Sequence, residues 1–434
     1  MDKMADVLGR AGAWCGQNKY LSAIKNAFQN FMPLTIAGAI GVLWCNVLVN
    51  DQTGLGLFFK PIMALDFLNP AFQAVNFCTI SCITVGITLG IAQEIGVWNM
   101  GAEKAGYIPG LVGLAAWLSV TNTSHMVEGA KEAFTGIAGN ELGATGLFTG
   151  MIIGVLSVEL FCFFEKQDAL KIKMPEQVPP GVARAFEVLV PATITLIITA
   201  CIGSACYNLT GLYLNDVIKN GIQGPLGAVG ATIPGVMIIY LVIMLFWLVG
   251  IHGNNMLSAV KEALFTPLAL ENVEKFNKGE KPTNIINMYA LQMWGEFGGS
   301  GVTIGLVIAI MIFGKREDNK AIASLSLVPG LFNINETVTF GIPMVLNPIL
   351  GIPFVVAPLI TIIIGYVLTV IGFCPVACLT VPWTTPPIVF GFLATGANVM
   401  GAVTQAILIV VSTVIYVPFL ISYEKYQNKQ AAEA

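Results

Sequence analysis

The sequence predicts an all-α, polytopic membrane protein, and three observations lead there. The first is composition. Of 434 residues, 56% are hydrophobic and 11% charged, with a mean hydropathy of +0.78, whereas soluble domains carry about 25% charged residues. The second is a set of apolar runs of membrane length, near 31–49, 71–92, 107–121, 144–164, 186–206, 228–250, 298–314, 353–373 and 401–421. The third is the placement of Lys and Arg between those runs.

Taken in order, residues 1–30 carry Lys3, Arg10, Lys19 and Lys25 ahead of the first run. They read as a cytoplasmic amphipathic segment. The run at Phe31 is too long for a signal peptide, and no small-residue cleavage site follows it. With the N-terminus inside, the external loops 50–70, 122–143 and 207–227 hold only Lys60, Lys131 and Lys219. The other 18 of the 21 basic residues fall in internal segments, as the positive-inside rule requires. Both termini are then cytoplasmic and the number of crossings is even. One of the interrupted segments at 251–297, 321–350 and 374–396 has to supply a crossing beyond the nine runs, which makes about ten. The basic, proline-rich stretch Gln167–Arg184 is the strongest internal boundary. It leads to a division into scaffold and dimer helices over 31–206 and ligand-binding elements over 207–434. Gly86 and Gly90 permit close helix approach in the first part, and Glu159 lies near a cytoplasmic helix end.

Several functions are excluded. The net charge of −4 comes with no basic block for nucleic acid. The nine cysteines form no C-x-x-C pair or Cys/His cluster with metal spacing and read as small core residues. Gly298-Gly299-Ser300-Gly301 lacks the Lys-Ser/Thr of a phosphate loop. Neither a metal nor another cofactor is expected.

What stands out is Glu336, the sole charge between Lys320 and Glu424. A carboxylate in a spanning region costs roughly 2.5–3.5 kcal/mol on insertion scales, and such residues mark functional sites. It sits in Asn333-Ile334-Asn335-Glu336-Thr337, among amides able to bond a neutral polar ligand. A second feature is Ile251-His252-Gly253-Asn254-Asn255-Met256, where a histidine and two amides follow an apolar run. A third is Val381-Pro382-Trp383-Thr384-Thr385-Pro386-Pro387. Its prolines forbid a continuous helix, so a re-entrant hairpin with Trp383 at its tip is expected, as at transporter binding sites. An indole face beside hydroxyls suits a sugar. Each feature also has a plainer reading: an acid that ties two helices, a helix-end histidine, an interfacial tryptophan. His125 reads as a loop residue. The candidate site is His252, Asn254, Asn255, Asn333, Asn335, Glu336, Trp383 and Thr384, and its ligand a neutral polyhydroxylated molecule.

These three stretches, Gly-Ile-His-Gly-Asn-Asn at 250–255, Pro-Gly-Leu-Phe-Asn-Ile-Asn-Glu-Thr-Val-Thr-Phe-Gly-Ile-Pro at 329–343 and Val-Pro-Trp-Thr-Thr-Pro-Pro at 381–387, resemble the enzyme IIC membrane component of the lactose/cellobiose branch of the bacterial phosphoenolpyruvate-dependent sugar phosphotransferase system. The cellobiose and N,N′-diacetylchitobiose members look most similar. The resemblance implies ten transmembrane helices and two re-entrant hairpins in a homodimer of the bacterial cytoplasmic membrane. It implies that Glu336 bonds the sugar hydroxyl that becomes phosphorylated, with His252 beside it, and that a phosphocysteine of enzyme IIB donates the phosphoryl group. This chain ends soon after its last span, so IIB is expected as a separate protein. The competing reading is a proton-coupled sugar symporter with Glu336 as proton carrier. A passive channel fits the broken segments poorly. Cellobiose and diacetylchitobiose both stay open.

Overall fold

The computed structural model describes Arg10, Trp14 and residues 17–433, except 52–54, 126–133, 176, 226–229, 343 and 345–346. Most of the expected amphipathic segment before residue 17, and Cys15 with it, lies outside the described residues. From Lys19 onward the chain is helical.

The helices are α1 (Lys19–Leu43), α2 (Asn69–Cys78), α3 (Ile83–Met100), α4 (Ile108–Val120), α5 (Ala144–Glu165), α6 (Pro180–Thr210) and α7 (Ile233–Leu248). They continue with α8 (Ser258–Asn277), α9 (Met288–Gly295), α10 (Ile304–Phe313), α11 (Glu317–Leu331) and α12 (Glu336–Gly341), then α13 (Gly351–Val370), α14 (Val389–Ala394) and α15 (Val399–Glu433). Among the described residues, six helical stretches are long and apolar enough to cross a membrane: Lys19–Leu48, Lys60–Met100, Ala144–Glu165, Pro180–Thr210, Gly351–Val370 and Val399–Glu433. Three shorter apolar helices, α4, α7 and α10, complete the set. The nine apolar runs of the sequence each fall on one of these, and the protein is a multi-pass, all-α membrane protein. The expected further crossing has no apolar helix of its own among the described residues: the interrupted segments hold short helices and the 20-residue α8, which carries Lys261, Glu262, Glu271, Glu274 and Lys275. Among the described residues a single strand pair, Ser124–His125 with Phe134–Thr135, lies in a loop. There His125 Nε2 is 3.2 Å from the Asn122 carbonyl.

The chain packs as two compact units. One is Gln17–Gly38 with Val75–Ala228; the other contains Ala39–Ala74 and Val229–Ala434. The division by packing therefore falls later than residue 206, because the short helix Leu214–Ile218 packs on α5 and α6.

The first unit is built on close helix contact. Helices α3, α4 and α5 pack on one another, and α6 packs on α4 and α5. A Cβ on Gly96 would lie 2.2 Å from Pro109, one on Gly113 2.3 Å from Ala92, and one on Gly150 2.2 Å from the Thr88 hydroxyl. Small residues are what let these backbones approach. Ile87, Ile91, Trp117 and Phe161 fill the rest, all fully buried. Charges pair at the helix ends: Glu159 with Lys19 at 2.6 Å, and Glu165 with Lys104 at 2.8 Å and Arg184 at 3.1 Å.

The second unit buries a larger core around Tyr240, Trp247, Phe265, Trp294, Phe297, Phe354 and Tyr416. Its chain is repeatedly irregular, and irregular backbone at membrane depth needs partners from protein. Buried side-chain amides supply them. Gln405 accepts the N–H groups of Ile388 at 2.7 Å and Gly391 at 2.8 Å, and donates to the Met293 carbonyl at 3.2 Å. Asn287 caps α9 through the N–H groups of Tyr289 and Ala290, while its own N–H donates to the Asn284 and Ala377 carbonyls. Asn272 accepts from the Thr283 and Asn284 amides and donates to the same two carbonyls.

Candidate functional site

Three broken segments and one glycine-rich loop build the site, all within the second unit. The first break follows α7. Gly250 turns the chain at φ +80°, and a single helical turn, Gly253–Met256, follows. Gly253 is required here, since a Cβ would lie 2.0 Å from the Ile243 carbonyl oxygen. His252 caps that turn: its Nδ1 accepts the Asn255 backbone N–H at 3.2 Å. With Nδ1 an acceptor, the ring proton sits on Nε2. The imidazole packs against the Trp247 ring, centroids 4.5 Å apart.

The second break separates α11 from α12. Asn333 adopts φ +63°, a left-handed conformation that Asn tolerates better than most residues. Its side chain is a strut. Its Oδ1 accepts the Gly298 N–H at 2.6 Å, and its Nδ2 donates to the carbonyls of Trp383 and, at 3.1 Å, Thr385. Glu336 opens α12 three residues later.

The third segment runs extended from Pro375, with Pro382, Pro386 and Pro387 denying it a helix. It closes where the Cys378 and Leu379 N–H groups donate to the Ala394 carbonyl, at 2.7 and 3.1 Å. Trp383 sits in a turn at the far end, where the Thr385 N–H donates to the Pro382 carbonyl at 2.9 Å.

The loop between α9 and α10 holds Gly298, Gly299 and Gly301 at φ +71°, +89° and +80°. A Cβ on Gly299 would lie 2.7 Å from Asn335, so the loop is pressed directly onto the second break. Val302 at φ +48° and Ile388 at φ +74° are β-branched residues in a region that disfavours them. Both lie in these segments.

The outcome is a close approach of two expected residues. His252 Nε2 lies 3.7 Å from Glu336 Oε1, with their side chains 37% and 46% exposed. The other expected residues take different places. Asn254 donates to the Ser300 hydroxyl at 2.8 Å and accepts from Lys261 at 3.2 Å. Asn335 is buried and donates to the Ser300 carbonyl at 2.8 Å. Asn255 is exposed, and its carbonyl accepts from Ser258 at 2.9 Å. Thr384 is half-buried and the Trp383 side chain exposed. Among the described residues, Trp383 is joined to the site through its carbonyl and Asn333, with no ring contact to His252.

Sequence reasoning missed a buried charge cluster beside the pair. Lys261 and Glu296 form an ion pair, and the Tyr240 hydroxyl donates to the same Glu296 oxygen at 2.7 Å. Lys261 is 5% exposed, so it is no cytoplasmic surface cation, as its count among the internal basic residues assumed. The signal that found Glu336 was there for Glu296 too. It is the sole charge between Lys281 and Lys315.

A multi-pass helical protein with broken segments meeting at a half-exposed acid and imidazole has the build of a membrane carrier. The model of the family "Phosphotransferase system, EIIC" matches residues 25–358. The chain is 32% identical to the oligo-beta-mannoside-specific EIIC component of Bacillus subtilis, covering 98% of this chain and 94% of that one. It is 30% identical to the cellobiose-specific EIIC component of Lactococcus lactis, over 98% of each. The crystal structure of the transporter ChbC, the IIC component of the N,N′-diacetylchitobiose-specific phosphotransferase system, superposes with a TM-score of 0.88 at 29% identity, over 97% of both chains. The chain therefore belongs to the EIIC family of the phosphotransferase system. A protein of this family works with a sugar and a IIB partner.

Proposed function

We propose that this EIIC protein carries a disaccharide of the cellobiose/diacetylchitobiose type into the bacterial cell and presents its 6-hydroxyl for phosphorylation by a separate phospho-IIB. The Glu336–His252 approach carries the reading. A hydroxyl oxygen roughly 2.8 Å from each group completes both bonds across their gap, accepting from Nε2–H and donating to the carboxylate. Glu336 then takes the hydroxyl proton as general base. The sugar oxygen–phosphorus bond forms as the sulfur–phosphorus bond of the IIB phosphocysteine breaks. On this reading the exposed Trp383 face and the hydroxyl of Thr384 meet the sugar on its path, with Asn255 at its margin. The basic residues favour cytoplasmic termini, and the small-residue helices of the first unit favour a homodimer contact there.

The test is uptake of labelled disaccharide by proteoliposomes with phospho-IIB, scoring free and phosphorylated product. Glu336→Gln retains sugar binding, because its amide still bonds hydroxyls, and loses phosphorylation by about 100-fold or more, within the range assigned to general acid–base catalysis. Normal phosphorylation by this variant removes Glu336 from the chemistry. Accumulation of free sugar that an uncoupler abolishes supports a proton symporter instead.

A further inference from the structure

His252 and Glu336 belong to segments far apart in sequence, yet one residue is bonded toward both. Ser300 lies in the glycine-rich loop, 4% exposed. Its hydroxyl accepts from Asn254, two residues beyond His252 and in the one-turn helix that His252 caps. Its carbonyl accepts from Asn335, the residue before Glu336. Lys261 donates to Asn254 Oδ1 at 3.2 Å and pairs with Glu296. This sets which end of the Asn254 amide faces Ser300, because Nζ only donates and so requires the carbonyl oxygen. The loop itself is fixed. Tyr416 donates to the Gly301 carbonyl at 2.7 Å, and Thr303 to the Gly298 carbonyl at 2.6 Å. A largely buried hydrogen-bond network of this kind favours a single geometry.

We propose that Ser300 is a positioning residue that sets the spacing of His252 and Glu336, holding the histidine turn through Asn254 and the glutamate turn through Asn335. Lys261 and Glu296 lock the Asn254 amide in the orientation the arrangement needs. The proposal rests on the reading of Glu336 and His252 as the groups that act on the sugar hydroxyl. It assigns Asn254 and Asn335 to the support of that pair rather than to the sugar.

Ser300→Ala removes the hydroxyl and leaves the carbonyl bond to Asn335 in place. Displacement of a reacting group by a fraction of an ångström lowers turnover, and the expected fall in the phosphorylation rate is about 10- to 100-fold. The apparent affinity for disaccharide should change by less than about threefold, because the sugar contacts remain. A purely structural role predicts another pattern: lower yield and a lower melting temperature, with turnover per folded molecule unchanged. Asn254→Leu, close in shape but without the amide, should reproduce the turnover loss. The double variant with Ser300→Ala should be no worse than Asn254→Leu alone, since Asn254→Leu has already broken the bond that Ser300→Ala removes. The discriminating background is His252→Ala. A residue acting through His252 has no further effect once the imidazole is gone, so Ser300→Ala should leave that variant's residual rate unchanged. Additive losses in that background, or full turnover in Ser300→Ala, overturn the proposal. If His252→Ala and Glu336→Gln both phosphorylate normally, the underlying site reading fails instead, which separates the two.

Discussion

The two compact units solve the same problem by opposite means. In the first, most of the backbone is satisfied inside its own helices; Gln93 and Thr84, which bond backbone groups at helix ends, are the exceptions. The side chains there mainly let the helices approach. Gly96, Gly113 and Gly150 do so, and Thr88 and Thr149 bury hydroxyls with no bonding partner. In the second, the backbone is broken at 249–257, 296–303, 332–335 and 374–388, and side-chain amides replace the missing helical bonds. The four non-glycine residues with positive φ among the described residues, Val302, Asn333, Ile388 and Ala397, all lie there. The lesson is that a regular membrane helix is specified by volume, whereas a broken one is specified by hydrogen-bond valence. The reactive pair sits where valence rules.

Three substitutions sharpen this contrast in order of expected effect. Gln405→Leu keeps the shape and deletes three bonds to backbone in the second unit. With an unsatisfied buried group costing about 1–3 kcal/mol, a loss of about 3 kcal/mol or more is expected. Thermal unfolding in detergent, followed by monodisperse elution, reads it. Survival within a degree of the parent would mean water satisfies those groups. Gly113→Ala adds one methyl against Ala92 in the first unit. Overpacking of this sort costs about 1–3 kcal/mol, and the same melting assay should show a smaller drop with binding of sugar intact. Thr88→Val removes a hydroxyl that has no partner, so stability should shift by less than about 0.5 kcal/mol, or rise. A large loss there would show that the first unit also depends on polar bonds.

Legibility in the sequence follows the same line. Apolar runs announce regular spans, so the nine runs each met an apolar helix, and the prolines around Trp383 announced a break in the helix, read as a re-entrant hairpin with Trp383 at its tip. Glu336 and His252 were visible because charge and imidazole are rare in that chain. The supporting amides were not. Gln405 sits near the start of an apolar run, where a lone amide looks tolerated, Asn272 lies in a stretch rich in charge, where burial leaves no mark, and Asn287 lies in a charge-free stretch beside Asn284, where nothing local tells a capping amide from a loop one. Lys261 and Glu296 are 35 residues apart, and nothing local says that they meet. The run expected at 298–314 hid the Gly298–Thr303 loop, since hydropathy does not distinguish an apolar helix from an apolar turn. Asn333, Asn335 and Asn254 were noticed as amides, but which partner each amide serves is a property of three-dimensional closure alone.

At position 333 the twenty-letter alphabet narrows to one letter. The backbone there is left-handed, which suits glycine and asparagine. The side chain gives its N–H groups to two carbonyls and takes an N–H from a third backbone group. Glycine offers no side chain, aspartate in its ionised form has nothing to donate, and glutamine places the same amide one methylene too far out. Most positions in a membrane helix accept any apolar residue of fitting size, so an error in copying is absorbed. Here a single-base change is met with no synonym in chemistry. A gene carrying this protein can drift at most lipid-facing positions of α13 before residue 333 can change once.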